Sequence, residues 1–307
     1  MALHEVRKLA NARRAIFENP KQIEISEKHL SDLMPDIIGL VGNIRTTVDN
    51  IYFKKFGLNK DSIDYNLSKQ GLIKEPEFYP IGYCGEIRNK VFTNLTKIRI
   101  EKIIKLKKYG TIIKPIYGIY NKEYLHNAIQ FGDYFLDVGN DTVNPYKEKI
   151  VYSRLNESLF ENFESYADYC DVIQNYWKVE VYPNIYFNEI AFTYPFIIIN
   201  DGKIEFIGQH TPLVFNDALK GFSGALDFVF NSKYSSKRLN EKQIKILETY
   251  RKKLFENGVN LNIKELVRKN IDYSGLNDNI VRNIIGNNEE KRKIINNLQI
   301  NLNNPGN

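Results

Sequence analysis

Apolar positions follow a helical period through the first third of the chain, alternate through the middle, and return to the helical period at the end. Between Asp36 and Phe56, residues Ile37, Leu40, Val41, Ile44, Val48 and Ile51 form the stripe of a core-facing helix, with Gly57 as its stop. Upstream, Val6, Leu9, Ala10 and Arg13 to Phe17 predict a short amphipathic segment ended by Asn19-Pro20. Ser26, with Glu27 and Lys28 behind it, reads as the cap of a helix to about Leu33. After a loop containing Pro76 and Pro80, the recurrence of Ile87, Val91, Leu95 and Ile98 predicts a helix from Cys84 to about Lys108, closed at Tyr109-Gly110.

Thr111 to Ile119 is rich in β-branched residues and reads as a strand with Pro115 at an edge or bulge. Gly132-Asp133 between two strand-like runs is a two-residue hairpin signal. With that turn, Phe131 pairs with Tyr134, Gln130 with Phe135, Ile129 with Leu136 and Ala128 with Asp137. His126 then shares a face with Asp137 as its diagonal neighbour, about 7 Å apart between Cβ atoms or somewhat less. Further on, a helix is expected from about Glu157 to Gln174. Strands are expected between Trp177 and Phe215, at 178–182, 185–187, 191–199 and 204–207, with a turn at Asn200-Asp-Gly-Lys. Three helices follow Asn240, carried by Ile244, Leu247, Tyr250 and Leu254, by Ile263, Leu266, Val267 and Ile271, and by Ile280, Val281, Ile284 and Ile285; the tail from Asn301 is expected to fray. The whole predicts an α+β chain: a helical N-terminal support over 1–70, a core over 71–236 whose antiparallel sheet packs on the helix starting at Cys84, and a helical C-terminal cap or partner-binding segment over 237–307.

Composition changes this picture mainly by exclusion. The 307 residues are 43% hydrophobic and 13% aromatic, enough for a folded core, and the charge of +6 is spread among acids without a basic run interleaved with aromatics, so nucleic acid is not an expected partner. Two cysteines, Cys84 and Cys170, make neither a disulfide framework nor a CxxC pair, and the four histidines, at 4, 29, 126 and 210, form no HExxH motif; neither a metal nor a cofactor is expected. Met1 to Lys8 lacks the apolar run of a secretory signal, and the longest apolar run, Phe196 to Ile199, is too short to cross a bilayer. A reducing, cytoplasmic setting fits, as does delivery into a host cytosol without a cleaved signal.

The chemistry concentrates at Cys84. Pro80 and Gly82 break regular structure before it, and a thiol in the first turn of a helix meets unpaired N–H groups and the positive end of the helix dipole, which favour the thiolate. Cys170, amid Tyr166, Ala167, Tyr169 and Val172, reads as core. His210 is the only rival to His126, but no carboxylate follows it at hairpin spacing.

In order, Gly82-Tyr-Cys84-Gly-Glu86, the helix behind it, Tyr109-Gly-Thr-Ile-Ile, a strand carrying His126 and Gly132-Asp-Tyr-Phe-Leu-Asp137 resemble the core of the transglutaminase-like superfamily, within the papain-like cysteine clan, over about residues 75 to 145. The sequence departs from that pattern in having Asn127-Ala128 where Ala-Trp is common, and no Gln ahead of Cys84. The resemblance implies a Cys-His-Asp triad: Cys84 as nucleophile, His126 as base, Asp137 orienting the imidazole, and the Cys84 N–H with one further donor holding an oxyanion. It implies acyl transfer from an amide of a protein or peptide, as a cysteine protease, a glutamine deamidase or a transglutaminase. Two other readings stay open: a catalytically silent member that binds a protein partner, and an arylamine-type acetyltransferase using coenzyme A. The Asn- and Lys-rich composition fits a bacterial effector with a host protein as partner.

Overall fold

The computed structural model describes residues 4–59, 75–97, 101–187, 189–208, 210–255 and 278–303. Its helices in chain order are α1 (His4–Asn11), α2 (Pro20–Ile25), α3 (Met34–Phe56), α4 (Cys84–Lys97), α5 (Glu101–Lys108), α6 (Tyr166–Trp177), α7 (Thr211–Ala218), α8 (Ser223–Asn231), α9 (Glu241–Phe255) and α10 (Asp278–Asn297). The strands are β1 (Ile113–Tyr120), β2 (Tyr124–Phe131), β3 (Tyr134–Asp137), β4 (Val151–Arg154), β5 (Phe160–Glu161), β6 (Glu180–Pro183), β7 (Phe196–Asn200) and β8 (Lys203–Glu205). The fold is mixed α+β, in two compact units: Ala12–Asn162, and a second built from the ends, up to Asn11 and from Phe163 onward.

In the unit Ala12–Asn162, five antiparallel strands lie in the order β4-β3-β2-β1-β5. The β2–β3 hairpin has the register that a Gly132-Asp133 turn dictates, Phe131 opposite Tyr134 and Ile129 opposite Leu136, with Gly132 at φ +63°. Alternation sends Ile129, Phe131, Tyr134 and Leu136 to one face, where they share a core with Ile37, Val41, Ile44 and Val48 of α3 and Ile87, Val91 and Leu95 of α4. Burying each of these aliphatic side chains contributes about 1.5–3 kcal/mol. The opposite face carries Ile116, Ala128 and Phe135 against Ala15, Leu155 and Phe160. Pro115 sits within β1, but β5 pairs only with Ile119 and Tyr120, so at Pro115 the side of β1 away from β2 has no ladder partner in β5.

Several expected boundaries move. Asn19-Pro20 does not only end a segment: Asn19 accepts from the Gln22 N–H at 3.2 Å and Pro20 opens α2, while α1 has already stopped at Asn11. Ser26 does not cap the start of a helix: it closes α2, the chain runs on helically through it, and its hydroxyl accepts from the Asp133 N–H at 2.9 Å, pinning the hairpin turn. The helix expected from Glu157 begins only at Tyr166, behind a capping box of Ser165 and Asp168, because 151–154 and 160–161 are taken into the sheet as β4 and β5.

In the second unit, β6, β7 and β8 form a separate antiparallel sheet, with Asp201 (φ +48°) and Gly202 (φ +76°) making the β7–β8 turn. Residues 185–187 and 191–195 are not strand, and 211–218 is helical, with Pro212 in the first turn of α7 where it needs no hydrogen bond. Of the tail expected to fray, Asn301 to Asn303 are placed, with Leu302 buried and its N–H donating to the Gly202 carbonyl at 2.7 Å, while 304–307 lie outside the described residues. Ile98 and the helix expected over Ile263 to Ile271 lie outside the described residues. Among the described residues no helix is long and apolar enough to cross a membrane.

Candidate active site

Cys84 is the first residue of α4, and Ile87 N–H donates to the Tyr83 carbonyl at 2.9 Å, so the thiol stands in the opening turn, whose N–H groups point out of the helix end. The residue is half-buried. The loop before it is fixed by the Gly82 N–H donating to the Thr142 carbonyl at 3.0 Å, and Gly82 takes a φ of +76° that favours glycine. His126 of β2 and Asp137 at the end of β3 are both buried, and Nε2 of His126 lies 2.7 Å from Oδ2 of Asp137. The other carboxylate oxygen accepts the Gly139 N–H at 2.8 Å. Neither ring nitrogen of His126 makes a directed hydrogen bond, so the 2.7 Å approach is a charge contact with the oxygen off the N–H axis.

The electrostatics of the three are coupled. Burial, and to a lesser extent the Asp137 carboxylate, push the Cys84 thiol up, but the imidazole of His126 and the amide of Asn127 outweigh them and hold the thiol below its ordinary value. Burial pushes His126 down, yet Asp137 and Cys84 together raise it, to about 10. Both directions favour a thiolate beside an imidazolium at neutral pH.

Three residues that the periodicity reading passed over complete the site. The side chain of Asn127 donates through Nδ2 to Cys84 Sγ at 3.4 Å, and its Oδ1 accepts from Arg88 Nη2 at 2.7 Å. Arg88, buried, also donates to the Ile116 carbonyl at 3.2 Å. Consecutive strand residues project to opposite faces, so His126 and Asn127 reach the sulfur from two sides only because Cys84 sits at the end of the β2–β3 ladder. There Gly139 comes so close that a Cβ on it would lie 3.4 Å from Cys84 Cα. Arg45 of α3 holds this corner: its guanidinium donates to the Val138 carbonyl at 2.9 Å and to both Asp141 oxygens at 2.9 and 3.0 Å, and pairs with Asp49 at 2.9 Å. Spacing could have exposed Arg88, since residue i+4 shares a helix face with Cys84. Asn127 gives no such signal, because alternation turns it away from His126.

The remaining candidates take other roles. Cys170 is fully buried, and burial followed by the neighbouring Asp171 drives its thiol well above the ordinary range. His210 is buried, its Nε2 2.7 Å from the Thr193 carbonyl and its ring 5.0 Å from Phe196 and 5.2 Å from Tyr194; burial lowers its pKa to about 4 and keeps it neutral. A cavity of about 1080 Å³ in the second unit, lined by Tyr166, Asp217, Lys220, Asp227 and Phe228, includes none of the three residues around the sulfur. Among the described residues no group of three or more His, Cys, Asp and Glu side chains is placed to hold a metal ion. No family model, no curated protein and no solved structure matches the chain.

Proposed function

We propose that the protein is a cysteine-nucleophile acyl-transfer enzyme that acts on an amide of a protein or peptide through a thioester at Cys84. The observation that carries this reading is the buried imidazole of His126 between the Asp137 carboxylate, 2.7 Å away, and the thiol of the half-buried Cys84, held below its ordinary value. The order Cys-His-Asp, on a helix start and two adjacent antiparallel strands, supports a transglutaminase-like or papain-like core, with the Asp137 carboxylate orienting the imidazole and favouring its charge.

In this mechanism the Cys84 thiolate attacks the amide carbon; the C–S bond forms as the carbonyl π pair moves to oxygen. Collapse of that oxyanion breaks the C–N bond, and the imidazolium of His126 gives its proton to the departing amine. The neutral imidazole then takes a proton from water or from an acceptor amine as it attacks the thioester, the C–S bond breaks, and the thiolate and imidazolium are restored. Neither ring nitrogen of His126 is yet aligned for proton transfer, and catalytic hydrogen bonds commonly tighten when substrate binds.

The direct test incubates a cell lysate with the wild-type protein or with Cys84→Ala and compares intact masses and peptides. Cys84-dependent cleavage assigns a protease, a gain of about one mass unit at Gln a deamidase, and crosslinks a transglutaminase. Identical peptide sets from the two proteins would sink the proposal.

A further inference from the structure

The amide of Asn127 is fixed in orientation. Its oxygen takes the Arg88 Nη2 proton at 2.7 Å, which leaves the NH₂ end to face Cys84 Sγ at 3.4 Å. A Cβ on Gly85 would lie 3.4 Å from the same Nδ2 atom, so the amide sits over the first turn of α4, beside helix N–H groups that have no intrahelical acceptor. Arg88 is itself an unusual residue: it is 1% exposed, its Nε has no hydrogen-bond partner, and among the described residues no carboxylate is paired with it. A buried guanidinium without a counter-ion is costly. Burial opposes its charge, and of the groups that favour it the ionised sulfur of Cys84, one amide away, is the larger, followed by Tyr117.

Resting on the nucleophile reading of Cys84, we infer that Asn127 supplies the second oxyanion donor, with Arg88 as the positioning residue that locks the amide NH₂ toward the reacting carbonyl. When the thiolate adds to a carbonyl carbon, the C–S bond forms and the π pair settles on oxygen. That oxygen is bonded to a carbon attached to Sγ, within the span that a donor 3.4 Å from Sγ and the α4 N–H groups bracket together. The same hydrogen bond holds the thiolate before attack, so the donor is already in place and needs no rearrangement. Arg88 polarises the amide through its oxygen, which makes the NH₂ a stronger donor.

Two reagents separate this role from a structural one. Iodoacetamide alkylates the thiolate by displacing iodide and forms no oxyanion, whereas p-nitrophenyl acetate is attacked at its carbonyl, forms an oxyanion and expels p-nitrophenolate. Rates at Cys84 are measured for wild type, Asn127→Ala, Asn127→Asp and Arg88→Lys at a pH where alkylation has reached its plateau. The expected result for Asn127→Ala is alkylation within about twofold of wild type and acylation slower by on the order of 10²-fold, the usual effect of removing one oxyanion donor. Asn127→Asp keeps the shape of the side chain while replacing the donor with an acceptor, and acylation should fall as far. Arg88→Lys should lose acylation selectively but by less. Retained alkylation at Cys84 with Cys170 still protected reports an intact fold. Equal loss in both reactions, or loss in neither, would overturn the role of Asn127 alone. A wild-type Cys84 no faster than Cys170 toward iodoacetamide would remove the nucleophile, and this inference with it.

Discussion

His126 and Asp137 meet at 2.7 Å across adjacent strands, and the meeting is a consequence of the turn between them. A two-residue loop at Gly132-Asp133 keeps the parity that puts both side chains on one face; a loop one residue longer would turn them to opposite faces. The imidazole is therefore raised by a carboxylate whose position the backbone register decides.

Removing that charge should be read first in the reactivity of the thiol. With Cys84 held below the ordinary thiol value, alkylation by iodoacetamide near neutral pH should be faster than that of an unperturbed thiol. In Asp137→Asn the imidazolium loses its largest favourable partner and the thiol its cation; because the His126 contacts act on the thiol more strongly than Asp137 does directly, the midpoint of the alkylation profile should move up. A shift of one pH unit corresponds to about tenfold in rate on the acid limb. An unshifted profile would mean that Asp137 does not act on the sulfur through His126.

The raised pKa of His126 also has a signature in stability. Its folded-state value lies above the unfolded one of 6.5, so the stabilisation is complete below about pH 6.5 and is lost as pH rises toward the folded value of about 10. In wild type the Cys84 thiol, shifted in the opposite direction, gives a contribution that grows with pH and offsets this loss. Urea unfolding of Cys84→Ala, where the thiol cannot titrate and Asp137 alone still raises His126, should show stability declining from pH 6.5 upward over a narrower range than the wild-type imidazole would give. The double variant Cys84→Ala, His126→Gln should not show that decline. Parallel pH dependences in the two would contradict the assignment.

Much of this was legible because it follows from local rules. The Gly57 stop at φ +66°, the helix start at Cys84, the hairpin register and most of the α3 stripe depend on spacing, helix ends and turn chemistry, and the structure shows them; Ile51 of the expected stripe is the exception, exposed to solvent while Tyr52 turns to the core. The failures come where a distant partner decides. Ile150-Val151-Tyr152 is a strand signal only three residues long, passed over in the sequence, and 151–154 become β4 because β3 offers them a ladder. Ser26 looks like a cap by residue type, but its hydroxyl is taken by Asp133, 107 residues away. Arg45, Arg88 and Asn127 read as ordinary polar residues on otherwise apolar elements; only the close approach of α3 and α4 to the end of the sheet gives them partners.

Arg45 is the residue on which the corner beside the active cysteine should prove most dependent. It is buried, and although burial opposes its charge, Asp141 and Asp49 more than compensate and hold its pKa above the ordinary value. Arg45→Met would leave both carboxylates without it and release the Val138 carbonyl. Breaking a buried pair from one side costs about 3–5 kcal/mol. The expected outcome is a correspondingly lower urea midpoint with an unchanged m value, together with slower alkylation of Cys84, because Val138 lies between Asp137 and Gly139. A stable variant with normal alkylation would show that the 137–142 segment holds its shape without Arg45.

Two glycines should separate stability from reactivity. A Cβ on Gly118 would lie 2.2 Å from the Glu161 carbonyl oxygen and 2.7 Å from Phe160, so Gly118→Ala must push β5 off β1, at a cost of about 1–3 kcal/mol. At Gly139, φ is −137° and the nearest atoms, Cys84 Cα and Thr142 Cγ2, are both 3.4 Å away, so alanine nearly fits while the branched side chain of valine would press on Cys84. Gly118→Ala should therefore lower the urea midpoint more than Gly139→Ala. Gly139→Val should slow alkylation of Cys84 more than Gly139→Ala does, in proportion to how far the sulfur is moved from His126. If Gly139→Val alkylates as fast as wild type, the close packing of 139 against the cysteine does not set the position of the sulfur.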